Sequence, residues 1–98
     1  MPATVLPVLL PVPLDRPLDY RAEAPVSPGS LVRVALGPRE TVGVVWDGGA
    51  EGGLPSQRLK PILARIEAPP LPERLRRFLE RAAGETLTPL GSMLRLVL

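Results

Sequence analysis

"LVRVALGPRETVGVVW", residues 31–46, alternates apolar and polar positions twice with a period of two. Val32, Val34 and Leu36 oppose Arg33 in the first run, and Val42, Val44 and Trp46 oppose Thr41 and Gly43 in the second. That period belongs to a pleated strand, whose successive side chains leave opposite faces. Each run therefore predicts a strand with one wet face and one dry one. Between them, Gly37, Pro38, Arg39 and Glu40 suit a tight hairpin, because glycine takes a φ closed to its neighbours and proline removes a backbone donor from the loop.

Working outward, "TVLPVLL" at 4–10, a short strand around Tyr20 and "RLKPILARIE" at 58–67 supply three further strands. Pro7 and Pro61 push theirs towards an edge or a bulge, since neither donates to a ladder. About five short strands joined by glycine and proline turns predict a mainly β, α+β fold: a small curled antiparallel sheet or partly open barrel with a C-terminal helical part. After "APPLP" the period changes. Leu71, Leu75, Phe78, Leu79 and Ala82 share one face at helical spacing, with Pro72 and Glu73 as start signals and Gly84 as a stop. A second helical stretch follows Thr88 and Pro89 and runs through Met93 and Leu94. The expected organisation is one domain over 1–98, β-rich to about residue 67 and helical from about residue 71, and the apolar ending "MLRLVL" suggests a piece of a longer chain.

Composition narrows the function. Ninety-eight residues, 45% of them apolar, suffice for one small core. Twelve Lys and Arg against ten Asp and Glu leave a net charge of +2, too little for a histone-like coat on a duplex. With neither cysteine nor histidine, the commonest neutral-pH base, the thiolate metal site and the disulfide are all excluded, so the segment is not expected to be an enzyme or to hold a cofactor. The first fourteen residues carry no side-chain charge, but they lack a basic lead and contain Pro2, Pro7, Pro11 and Pro13, which rules out an export helix. Nothing else is long enough to span a bilayer. A soluble cytoplasmic domain is expected.

Several stretches invite a functional reading. "DGGAEGG" at 47–53 lacks the lysine and hydroxyl of a phosphate loop and reads as a flexible connection. Arg74, Arg77 and Arg81 recur along one side of the first helix, yet Glu73 and Glu80 interleave with them, so the stripe reads as a solvated face. Trp46 and Phe78 fall in apolar patterns and read as core. Tyr20 is then the free aromatic, and one spare ring fits a single nucleotide better than a run of stacked bases. On composition alone, the favoured reading of "LDY" at 18–20 is plainer: a tyrosine packed on the barrel beside an exposed aspartate.

The order of "VLLPVPLDRPLDY", "VSPGSLVRVALGPRETVGVVW", "LKPILARIE" and "LPERLRRFLERAAGETLTPLGSMLRLVL" resembles the N-terminal 3′-DNA-binding domain family of primosomal protein N′, the PriA replication-restart helicase. The resemblance covers nearly the whole chain. It implies a domain that seizes the 3′-OH end of the nascent leading strand at a stalled or abandoned fork, with the end-binding pocket on Leu18, Asp19, Tyr20, Gly37 and Lys60. An ionised carboxylate only accepts hydrogen bonds, so Asp19 would read the edge of a terminal base and repel phosphate. Lys60 would neutralise the entering phosphate, Gly37 would let the nucleotide approach backbone, and the cleft as a whole would be small and negatively charged. Leu18 departs from the phenylalanine frequent in the family, leaving an aliphatic wall. Arg16, Arg21, Arg33 and Arg39 are further candidates for phosphate contacts.

The resemblance also implies a parent that is an ATP-dependent 3′-to-5′ helicase, with ATP, magnesium and zinc sites in its other regions. Partners would be DNA, the helicase domains of the same chain and other primosome proteins, with no membrane. The alternative is a small β-barrel module for protein–protein interaction, or a structural cap, without nucleic-acid binding of its own. An RNA-binding barrel is less favoured, because few aromatics and no RNA motif support it.

Overall fold

A computed structural model describes residues 4–50, 52, 53, 55 and 58–98; Pro2 and Glu51, singled out above, lie outside them. Five strands, β1 (Thr4–Leu9), β2 (Leu18–Ala22), β3 (Leu31–Leu36), β4 (Arg39–Val45) and β5 (Ile62–Arg65), precede two helices, α1 (Glu73–Thr86) and α2 (Leu90–Arg95). All ladders are antiparallel, in the order β2-β1-β4-β3-β5. The sheet curls until its two edges nearly meet, where Arg21 of β2 and Pro61 form a parallel bridge and the Arg21 N–H donates to the Lys60 carbonyl at 2.9 Å. The fold is the expected curled sheet, a half-barrel with helices at its C-terminal end.

The β3–β4 hairpin is tighter than the sequence predicts. Leu36 pairs with Arg39, so only Gly37 and Pro38 form the turn, while Arg39 and Glu40 join the strand. Gly37 sits at φ +60° in the first central position, where two-residue hairpins of the mirror-image class need glycine to match the strand twist. Nor does β4 keep a wet face along its whole length. Val45 faces the barrel interior with Leu6, Val8, Leu10, Tyr20, Val32 and Val34, whereas Val44 and Trp46 face the helices with Leu9, Leu79 and Leu94. Both faces are dry because the helices cover the outer one. Gly43 lies where the curl brings β1 closest: a Cβ there would stand 2.6 Å from Val8 Cγ1.

Two further expectations need correction. Pro7 is not on an edge, since β1 pairs with both β2 and β4. Its carbonyl accepts from Trp46 N–H at 2.8 Å. In an antiparallel strand a residue's N–H and C=O point the same way, so the missing donor falls just past the β1–β4 ladder, which begins at Val8. The first helix also runs through Gly84 and stops at Leu87, which is almost fully exposed and takes the left-handed conformation at φ 54°. Pro89, two residues on, cannot continue the helix and is the effective stop signal.

The face of α1 that meets the sheet differs as well. Arg76, Leu79 and Ala83 are buried, with Leu75 half-buried beside them, while Phe78 is 61% exposed and lies about 120° around the helix from that face. A buried arginine takes the place expected of an aromatic because Asp47 neutralises it. Arg76 Nε and Nη2 donate to the two Asp47 carboxylate oxygens at 2.8 and 3.0 Å, and Nη1 donates to the Leu71 carbonyl at 2.5 Å. Trp46 Nε1 donates to Glu80 at 3.0 Å one turn along. These bonds join the end of β4 to the helix.

The Arg76 hydrogen bonds hold the Asp47 carboxyl below its ordinary pKa, with the Arg76 and Arg77 charges acting in the same direction. A carboxyl whose folded-state pKa is depressed stabilises the fold above its unfolded value and loses that contribution as pH falls through the folded value. The pair is largely enclosed, the Arg76 and Asp47 side chains retaining 8% and 18% exposure. Replacing Asp47 by Ala should cost about 2 to 3 kcal/mol in urea unfolding at neutral pH, towards the low end for a buried pair because Asp47 keeps some solvent. The difference from wild type should shrink below about pH 4. Arg33→Ala, which breaks the exposed 3.2 Å pair with Glu40, should cost under about 1 kcal/mol.

Candidate nucleic-acid interface

A cavity at the open side of the half-barrel arises from unequal strand lengths. Val34 pairs with Ile62, the first residue of β5, after a register shift between Arg33 and Val34, so Ala35 and Leu36 run on with no β5 residue beside them. On the other side, Leu18 and Asp19 extend β2 beyond the Arg21–Pro61 bridge. The resulting gap between β2 and β3 is a cavity of about 500 Å³ at the mouth of the half-barrel. That volume falls within the ordinary range for small-molecule and cofactor sites.

All five residues assigned by resemblance to the end-binding pocket line this cavity. Leu18, Asp19 and Tyr20 come from β2, Gly37 from the hairpin turn, and Lys60 from the segment before β5. Of the four arginines considered for phosphate contacts, Arg16 lines it too; Arg21, Arg33 and Arg39 do not. Arg33 is paired with Glu40 on the outside of the sheet, and Arg39 is exposed at the hairpin. Arg58 also lines the cavity, and the sequence reading passed over it. The signal was its place two residues before Lys60 in "RLK", which makes the two a single basic segment.

Tyr20 is not the free aromatic. Only 4% exposed, its ring belongs to the barrel core, and its hydroxyl crosses the gap to donate to the Ala35 carbonyl at 2.7 Å. Burial raises the phenol pKa. Tyr20 therefore ties β2 to β3 under the cavity rather than offering an open stacking face. Phe78, not Tyr20, is the exposed ring.

The electrostatics also differ from the expected negative cleft. Among the described lining residues Asp19 is the single acid, against Arg16, Arg58 and Lys60. Asp19 Oδ2 accepts from the Gly52 backbone N–H at 3.1 Å, which brings the glycine-rich connection to the cavity. Gly37 contributes open space: a Cβ there would meet no protein atom within 4 Å. The site thus joins an apolar floor, a basic rim and one oriented carboxylate.

Over residues 7–98 the chain matches the family model described as the 3′DNA-binding domain (3′BD) of PriA. The chain belongs to this family. No curated protein matches it. As a PriA 3′BD it is a DNA-binding domain, which sets aside the alternative of a module without nucleic-acid binding. Among its described residues no helix is long and apolar enough to cross a membrane.

The Tyr20 bond gives the 3′BD cavity a testable support. Tyr20→Phe keeps the packed ring but leaves the Ala35 carbonyl without its partner, and should cost about 1 kcal/mol in chemical unfolding. Tyr20→Ala also removes the ring from the core, and should cost about 3 kcal/mol or more.

Proposed function

We propose that the cavity between β2 and the β3–β4 hairpin captures the 3′-hydroxyl end of a DNA strand, and that this end is the nascent leading strand at a stalled or abandoned replication fork. The observation that carries the reading is the placement of Asp19 as the one acid among the described residues lining a basic, nucleotide-sized cavity, within a chain of the 3′BD family. Cations on the rim attract the last phosphodiester. The carboxylate selects what lies beyond it.

Arg16, Arg58 and Lys60 take the phosphate that precedes the terminal nucleotide, and the base enters between Leu18 and the hairpin turn. Asp19 accepts from a ring or exocyclic N–H on the base edge; every base offers such a donor, so preference among bases is weak. Gly52 N–H holds the carboxylate in position without exhausting it, since an ionised carboxylate has about four acceptor sites. A 3′-phosphate brings additional negative charge towards Asp19, and one unit pair at about 4 Å costs on the order of 4 kcal/mol at an effective dielectric of 20. The same repulsion turns away a strand that continues past the site. In the cytoplasm, such a domain directs a replication-restart helicase and its primosome partners to forks with a free 3′ end.

Fluorescence anisotropy with forks carrying a recessed 3′-hydroxyl or 3′-phosphate tests this reading. Wild type should prefer the hydroxyl, and Asp19→Ala should lose that preference, because binding to the hydroxyl end weakens about tenfold while binding to the blocked end strengthens once the repulsion is gone. Arg58→Ala should weaken both ends alike and flatten the salt dependence by about 0.7 in log–log slope. Equal affinity of wild type and Asp19→Ala for both forks would overturn the proposal.

A further inference from the structure

The solvent side of α1 carries a second set of groups with no part in the cavity. Phe78 is 61% exposed, although burying a phenylalanine is ordinarily favourable. Arg74 stands one turn before it and Arg81 one turn after, and with Glu73 and Arg77 these three residues line a shallow depression. None of them lines the cavity between β2 and β3.

The charges on this helix are not disposed evenly. Arg76 is bound to Asp47, and Arg77 lies 3.9 Å from Asp47, 3.7 Å from Glu73 and 3.2 Å from Glu80. Arg74 and Arg81 form no ion pair among the described residues. Glu85, one turn beyond Arg81, forms none with it, in keeping with the weaker arginine-before-glutamate order. Two guanidinium groups without carboxylate partners therefore bracket an exposed ring. They are separated by about 10 Å along the helix axis, close to the rise of three nucleotides on one strand of B-form DNA.

We infer that Arg74, Phe78 and Arg81 form a second contact for DNA, one that binds the interior of a single strand. The two cations hold phosphates, and the phenyl face stacks on an unpaired base between them. A paired duplex keeps its base faces stacked internally and has none to offer Phe78, whereas a single strand does. An acidic protein segment would satisfy the arginines but leave the aromatic face without a matching π-system. The site needs no strand end, so it is independent of terminus capture in the cavity.

A short 3′-phosphorylated oligothymidylate, labelled at its 5′ end and titrated with the whole chain, tests the contact apart from the cavity. Phe78→Ala should weaken binding roughly 5- to 150-fold, the range found for loss of one base–aromatic stack. Phe78→Leu should weaken it comparably, and Phe78→Trp should retain it, with the new indole quenched on titration. Arg74→Gln and Arg81→Gln should each lower the salt slope by about 0.7, and Arg65→Gln on β5 should leave it unchanged. All the substituted side chains are exposed, and thermal unfolding of each variant should match wild type. Wild-type affinity in Phe78→Ala, retention of affinity in Phe78→Leu, or a loss confined to binding of other helicase segments would overturn the inference. Loss of 3′-hydroxyl preference with this binding intact would instead count against terminus capture alone.

Discussion

The Asp47–Arg76 pair decides how the sheet and the helices sit. Asp47 lies two residues past β4 and begins the glycine-rich connection, while Arg76 stands near the N-terminal end of the buried face of α1. A guanidinium enclosed without a partner would carry a heavy desolvation cost, so the helix docks in the rotation and at the height that bring both nitrogens to the carboxylate. The Leu71 carbonyl takes the third arginine nitrogen, and Leu71 N–H in turn donates to the Gly29 carbonyl. Hydrophobic contact alone is non-directional. Here it fills the space around a junction whose geometry is set by charge-assisted hydrogen bonds.

That junction and the cavity are connected through one segment of chain. The glycine-rich stretch leaves Asp47, which α1 holds, and reaches Asp19, which accepts from Gly52. Helix docking thus fixes one end of the connection whose other end orients the acid of the cavity. Beneath that acid, the Tyr20–Ala35 bond spans the gap left by the short fifth strand. A half-barrel that failed to close completely becomes a cavity because a buried phenol braces its open side.

What the sequence disclosed follows from where local pattern and tertiary packing agree. The hairpin was legible because apolar side chains recur at every second position, at Val32, Val34 and Leu36 and again at Val42, Val44 and Trp46, and the second helix because Thr88 and Pro89 mark its start. Phe78 leaves the core expected of it and Arg76, given no role in the sequence analysis, enters it, since periodicity counts apolar side chains and cannot know that a carboxylate 29 residues earlier makes an arginine buriable. Tyr20 is the packed tyrosine that composition favoured; what the pattern could not show is its brace, because the partner is a backbone carbonyl on another strand. The five cavity residues were found through family resemblance; composition and spacing alone favoured a packed tyrosine beside an exposed aspartate. Arg58 was missed because its one signal, its place two residues before Lys60, gains meaning only once Lys60 is placed at the cavity.

The seam at Arg21 and Pro61 bears on how crowded molecules of this domain behave. An open sheet ends in two rows of unsatisfied amides and carbonyls, each a template on which another chain can add a strand. Here the first edge spends the Arg21 amide on Lys60, and the second begins with a proline that has no amide to offer. Each edge therefore blunts the other. Curling the sheet to make a mouth for a ligand also withdraws the surfaces through which copies of the domain would otherwise polymerise.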